Sequence, residues 1–209
     1  MEKYNPKLCI GVLALQGDFE AHLKMLAELG VEGKAVRLPQ HLNNLDGIII
    51  PGGESTTIGK LMVMYGLHEV LQEKIRAGFP VWGTCAGLIL LAHETDNALP
   101  GQPLLASMHI RVRRNAFGSQ RESFETDLSV PVLGEAPFHT FFIRGPAIES
   151  AGPEVEVLAT LDDGYLSPGK GPIVAVREGN LLGTAFHPEV AGDPRFHQYF
   201  LRIVQGAKG

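Results

Sequence analysis

A chain of 209 residues with 44% hydrophobic and 20% charged residues has the make-up of an ordinary globular protein, long enough to bury a core, which excludes disorder. Eighteen lysines and arginines against 23 aspartates and glutamates leave a net charge of -5, so no overall positive field exists to hold nucleic acid or an acidic membrane surface. Two cysteines, Cys9 and Cys85, are too few for a disulfide framework and neither belongs to a C-x-x-C pair, which points to a reducing, cytoplasmic setting.

Along the first half, apolar β-type runs alternate with helical patterns. Residues 8–15 read as a strand rather than a signal peptide, because the run is short and passes into Gln16, Gly17 and Asp18 without a small-residue cleavage pattern. Phe19, Leu23, Leu26 and Ala27 then recur at helical spacing up to Gly30, a stop signal. A short second strand is expected over residues 36–38 and a third over 47–50, the latter ended by Pro51-Gly52-Gly53 with a helix after it. Leu67, Val70, Leu71 and Ile75 make a further helical stripe, broken at Gly78 before a strand over residues 81–83, and residues 86–93 are apolar enough for a buried helix. Continuous apolar strands separated by helices call for a mostly parallel sheet covered on both faces. The expected class is therefore α/β, in three layers, with helices on both sides of the central sheet.

The second half changes character. Residues 110–112, 123–128, 140–143, 155–161, 173–177 and 181–186 are short β candidates joined by Gly- and Pro-containing turns. They are expected to extend the sheet or to build a small antiparallel flap. A closing helix carries Phe196, Phe200, Ile203 and Val204 on one face. No repeat, low-complexity tract or long linker interrupts the chain, and no run of about 18 apolar residues could span a membrane. Residues 1–209 are thus expected to form a single domain.

Three short motifs could carry chemistry. Gly83-Thr84-Cys85-Ala86-Gly87, between an expected strand and an expected helix, has the form of a nucleophile elbow with Cys in place of Ser. Glycines two positions to either side let strand and helix pack closely, and a sulfur at the first turn of a helix meets free N–H groups that favour an anion. The pentapeptide alone equally fits a small buried residue between two loop glycines, as Cys9 fits a core position in the first strand. His187-Pro188-Glu189 follows a strand; proline keeps His187 extended, so His187 and Glu189 point to the same side, where a carboxylate can orient an imidazole. By itself the tripeptide also fits a surface pair. Pro51-Gly52-Gly53-Glu54-Ser55 is either a tight turn or a cradle. In the second case the N–H groups of Gly53 and Ala86 are candidates for stabilising an oxyanion.

Gly59-Lys60 fails as a phosphate loop because Leu61 stands where Ser or Thr is required. Arg111, Arg113 and Arg114 form a basic stretch, an anion site or a solvated face. The eight histidines show no metal-ligand spacing, so no metal site is expected.

Taken together, the blocks at 83–87, 51–57 (Pro-Gly-Gly-Glu-Ser-Thr-Thr) and 186–189 (Phe-His-Pro-Glu) resemble class I glutamine amidotransferases. Gly-Val-Leu-Ala-Leu-Gln-Gly at 11–17, Arg-Asn-Ala-Phe-Gly at 114–118 and Phe-Ile-Arg at 142–144 narrow the resemblance to the glutaminase subunits of pyridoxal 5'-phosphate synthase. The resemblance implies hydrolysis of L-glutamine to glutamate and ammonia, with Cys85 as nucleophile, His187 and Glu189 completing a triad, and no cofactor. It implies glutamine binding by Gly53, Glu54, Ser55, Arg114, Ile143 and Arg144, and places Gln16 beside the oxyanion region as a link to the partner. That partner is a synthase subunit in a hetero-oligomeric complex, which combines the ammonia with a pentose phosphate and a triose phosphate. Residues 97–108 and 162–170 match none of these blocks. Two alternatives stay open: a glutaminase feeding another synthase, such as that for imidazole glycerol phosphate, and a redox-sensing or chaperone-like protein with an elbow cysteine.

Overall fold

A computed structural model describes residues 8–117, 123–161 and 171–208; Gly118 and the 162–170 segment lie outside the described residues. The chain runs β1 (Cys9–Leu13), α1 (Phe19–Glu28), β2 (Glu32–Val36), β3 (Gly47–Ile50), α2 (Ser55–Met64), α3 (Leu67–Arg76), β4 (Val81–Thr84), α4 (Ala86–Leu91), β5 (Ala92–Asp96) and β6 (Met108–Arg113). It continues with β7 (Ser123–Leu128), β8 (Phe138–Ile143), β9 (Ala147–Ala151), β10 (Glu156–Thr160), β11 (Ile173–Glu178), β12 (Leu181–Thr184) and α5 (Arg195–Gly206). A ten-stranded sheet has the order β2-β1-β3-β4-β12-β11-β9-β6-β5, with β10 also paired to β11. From β2 to β12 every pairing is parallel. Beyond β12 the sheet turns antiparallel through β11, β9 and β6 before β5 closes it in parallel. Strands β7 and β8 form a separate antiparallel pair, the small flap expected from the sequence.

Register shows which helices cover which face. Gly33, Ile10 and Gly47 lie side by side across β2, β1 and β3, and the next residue but one, Ile49, aligns with Trp82. On this face Gly33 abuts Leu23 and Leu26 of α1, and Gly47 abuts Phe200 and Val204 of α5. On the other face Gly83 meets α4, which in turn packs against α2. Trp82, Phe138, Phe186, Phe196 and Phe200 are fully buried between the layers. Each large side chain taken from water contributes roughly 1.5–3 kcal/mol. Among the described residues no helix is long and apolar enough to cross a membrane.

Three elements differ from the sequence expectation. The second strand is Glu32–Val36 rather than 36–38, because it is an edge strand whose Glu32 and Lys34 face solvent, leaving Val36 as its one buried residue. The helix expected over 86–93 stops at Leu91: Ala92 turns extended (φ -59°, ψ 141°) and begins β5, where His93 and Glu94 are exposed and break the apolar pattern. Strand β9 was not expected, being half exposed; its pairing to β6 defines it.

Candidate active site

The elbow is built by packing backbone directly on backbone. A Cβ at Gly83 would stand 2.5 Å from the carbonyl of Gly87, and one at Gly87 would stand 2.1 Å from the carbonyl oxygen of Ile50. With neither present, α4 descends onto β3 and β4 and turns the chain sharply at Cys85, which sits at φ 48°, ψ -99°. A non-glycine residue held there costs on the order of 1–3 kcal/mol. The Cys85 N–H donates to the Thr184 carbonyl at 2.8 Å, tying the elbow to β12. Ala86 is the first helical residue, so its N–H has no carbonyl partner within the helix.

His187 reaches the same place from the neighbouring strand. β12 lies parallel to β4 with Thr184 opposite Thr84, so the chain segments leading to Cys85 and to His187 leave the same edge of the sheet. The His187 N–H donates to the Phe141 carbonyl at 3.0 Å, and its Nδ1 is 2.7 Å from Glu189 Oε1. Cys85 lies near enough to act on the charge of the ring. Burial disfavours a charge on the imidazole, but the neighbouring Cys85 sulfur and the hydrogen-bonded Glu189 carboxylate outweigh it, pushing His187 up to about 10.

The Pro51-Gly52-Gly53 turn closes one side. A Cβ at Gly52 would lie 2.4 Å from His187 Cε1, so this backbone lies against the imidazole. The Gly52 carbonyl accepts from the Asp18 N–H at 3.2 Å, and the Gln16 side-chain oxygen accepts from the Glu54 N–H at 2.8 Å. Residues 16–18 and 52–54 are thus clasped together. Glu54 caps α2 by accepting from the N–H groups of Thr56 and Thr57 at 3.2 and 2.7 Å, and Arg114 donates to it at 3.0 Å. Partial burial works to raise the Glu54 carboxyl, yet the Thr57 hydroxyl and N–H, the Thr56 N–H and Arg114 together hold it below its ordinary value.

Gln102 completes this group. Its oxygen accepts from Arg114 at 2.9 Å, and its amide donates to the Ser55 hydroxyl at 3.1 Å. It lies in the 97–108 stretch that carries no motif, so only its contacts reveal it. The turn after β8 is joined through backbone: Ala116 N–H donates to the Gly145 carbonyl at 3.1 Å, and Gly145 packs on Ala185, two residues before His187. Ile143 and Arg144, both exposed, stand at this turn.

Other sequence candidates fall elsewhere. Arg111 pairs with Asp96 and Arg113 with Glu149 on the surface, so of the basic stretch Arg114 alone turns toward the site. Cys9 is buried in the core, where burial pushes its thiol up.

The arrangement can be set against known proteins. The Pyridoxal 5'-phosphate synthase subunit PdxT of Herpetosiphon aurantiacus is 57% identical over 197 residues, covering 94% of this chain and 100% of that protein. The subunit of the same name from Roseiflexus sp. is 53% identical over 196 residues, with 94% and 100% covered. A crystal structure of a glutamine amidotransferase superposes with a TM-score of 0.85 at 47% identity, covering 94% of this chain and 98% of that one. PurLQS from Thermotoga maritima shares the fold at a TM-score of 0.61 and 18% identity, with 93% and 97% covered. The family model described as SNO glutamine amidotransferase matches residues 12–206, and the chain belongs to that family.

Proposed function

We propose that residues 1–209 form a single glutaminase domain that hydrolyses L-glutamine through Cys85, His187 and Glu189 and supplies the ammonia to a pyridoxal 5'-phosphate synthase partner. The observation that carries the reading is the His187–Glu189 hydrogen bond with Cys85 near enough to act on the His187 ring, at an elbow whose first helical N–H has no carbonyl partner within the helix. The names of relatives more than 50% identical over nearly the full chain support the choice of partner over other synthases. Two free cysteines and the absence of any positive field fit a cytoplasmic protein without nucleic acid or membrane partners.

In the first step the Cys85 sulfur adds to the side-chain amide carbon of glutamine. The oxygen turns anionic and takes hydrogen bonds from the Gly53 and Ala86 N–H groups. His187, charged at neutral pH because its value lies near 10, gives its proton to the departing nitrogen, and ammonia leaves. The neutral imidazole then removes a proton from water, which attacks the thioester and frees glutamate, restoring the sulfur anion and the imidazolium. Glu189 holds the ring and balances its charge.

Glutamine's two α-groups have opposite charge, and the Arg114–Glu54 pair offers both signs beside the elbow. The guanidinium fork suits the carboxylate and Glu54 suits the ammonium. Ser55, Ile143 and Arg144 complete the proposed set of glutamine-binding residues. Gln16, bonded to the Glu54 N–H, would pass the state of the partner interface to the Gly52-Gly53 peptide.

The test is Cys85→Ala. It should abolish glutamine turnover while leaving the circular dichroism spectrum unchanged; full activity in this variant ends the proposal. Labelling of Cys85 by a glutamine-like diazoketone, blocked by glutamine, is expected for a glutaminase and not for a redox sensor.

A further inference from the structure

Beneath the elbow, two histidines that no step above uses are sealed from water. His22 on α1 and His197 on α5 are both 0% exposed, and the edge of Trp82 packs against each ring. His22 Nδ1 lies 3.0 Å from His197 Nε2. His22 Nε2 lies 3.5 Å from Glu189 Oε2 and 3.5 Å from the Thr84 hydroxyl. The other carboxylate oxygen, Oε1, is taken by His187 at 2.7 Å, whereas buried Oε2 has no hydrogen bond of standard geometry. The polar neighbour that Oε2 does have is His22 Nε2, at 3.5 Å.

The protons on these rings follow from what surrounds them. Burial pushes both histidines down to about 3, so both are neutral and each carries one N–H. If His22 carried its proton on Nδ1, its Nε2 lone pair would face a carboxylate oxygen. His197 would then have to carry its own proton on Nδ1, an atom buried without any partner. A buried N–H with no acceptor and two opposed lone pairs are both costly. With the proton on Nε2 of each ring, every donor has an acceptor. His197 Nε2–H donates to His22 Nδ1, and His22 Nε2–H has both Glu189 Oε2 and the Thr84 hydroxyl at 3.5 Å. Only a lone pair, on His197 Nδ1, is left unmatched.

We propose that His22 is a positioning residue of the glutaminase reaction, a neutral imidazole whose Nε2–H holds the second oxygen of Glu189 while His197 fixes its tautomer; this rests on the roles of Cys85, His187 and Glu189 given above. A neutral donor suits the position. It stops the carboxylate from rotating off His187, yet it leaves the negative charge to the imidazolium, where a cation at the same place would compete for it. α1 begins at the residue after Asp18, so the same helix that follows the Gln16 loop also braces the far end of the triad.

Glutamine turnover of the full chain with the synthase partner present tests this. His22→Leu, which removes the donor and keeps the bulk, should lower kcat roughly 10–100-fold, the usual cost of losing an outer hydrogen-bonding partner, with KM for glutamine unchanged. His22→Gln, whose amide N–H reaches about as far as Nε2, should recover most of the loss. A wild-type kcat in His22→Leu, or an equal loss in both variants, overturns the proposal. Should His22→Leu fail to fold, nitrogen-15 NMR of the wild-type histidines decides: a neutral His22 protonated on Nε2 supports the assignment, and a charged ring or a proton on Nδ1 refutes it. Full activity of His22→Leu beside a dead Cys85→Ala removes His22 alone, whereas an active Cys85→Ala removes the triad beneath it.

Discussion

Position 52 has no side chain because His187 occupies the space one would need. A Cβ there would sit 2.4 Å from the imidazole, so Gly52→Ala should push the ring off its line to Cys85. A displacement of about 1 Å costs on the order of 10²-fold in rate, and the turn itself can absorb a methyl group. Steady-state kinetics should therefore show a large fall in kcat while the thermal midpoint barely moves. Gly87→Ala behaves differently: its Cβ would meet the Ile50 carbonyl at 2.1 Å, and backbone cannot swing aside. Urea denaturation should register a loss of roughly 1–3 kcal/mol or more, as for an overpacked core, together with loss of turnover. At Glu189, replacement by Gln keeps the shape and removes the charge that balances the imidazolium. Turnover should fall by roughly 10²–10⁴-fold, the weight of a positioned acid–base group; a variant within a few-fold of wild type would count against the triad. These residues were legible in the sequence because each sits in a short motif whose chemistry constrains its spacing. Gln102, His22 and His197 were not: two polar residues on helices and one between turns look like surface until the fold brings them inward.

Among the elements, α1 and α5 cover one face of the sheet beside β4, and the histidines they bury make this packing sensitive to acid. His22 and His197 are each lowered by burial from 6.5 to about 3. Once unfolded they bind protons near 6.5, so the stability they allow is intact above that value and is lost as pH falls toward 3. The slope reaches about 1.4 kcal/mol per pH unit for each ring. Thermal midpoints measured between pH 7 and pH 4 should fall, and His197→Gln should flatten the fall; an unchanged slope would mean these rings are not neutral in the fold. Helix α2 depends on Glu54, which caps Thr56 and Thr57 and also holds Arg114. Glu54→Ala should cost about 1 kcal/mol from the lost cap and should raise KM for glutamine, because Arg114 loses its anchor. Strands β2, β5 and β9 show why element boundaries were harder to read than their cores. Each is held by pairing to a neighbour while two or three of its five residues are exposed, and hydropathy carries no trace of a backbone hydrogen bond.

At the scale of the molecule, a parallel half-sheet from β2 to β12 delivers the Cys85 and His187 turns, with the Gly52 turn between β3 and α2, to one edge, where β8 meets the His187 segment through the Phe141 carbonyl. The Gln16 loop, the Gly52-Gly53 peptide and the start of α2 are clasped at this edge, Gln16 and Gly53 partly open to solvent. A partner docking there would act directly on the N–H groups proposed to hold the oxyanion. Glutamine turnover should accordingly rise when the synthase subunit is added; equal rates with and without it would dissociate the clasp from catalysis. What the sequence determined unaided was local: apolar runs long enough to become strands, glycines where backbones must touch, and the motifs that hold the proposed nucleophile, base and carboxylate. Their convergence, the antiparallel extension, the Arg114–Glu54–Gln102 group and the neutral histidine pair under Glu189 were decided by the tertiary structure. The reason is physical, since these features rest on contacts between residues up to 175 positions apart in the chain, and such contacts exist only after the strands have paired and the helices have closed over them.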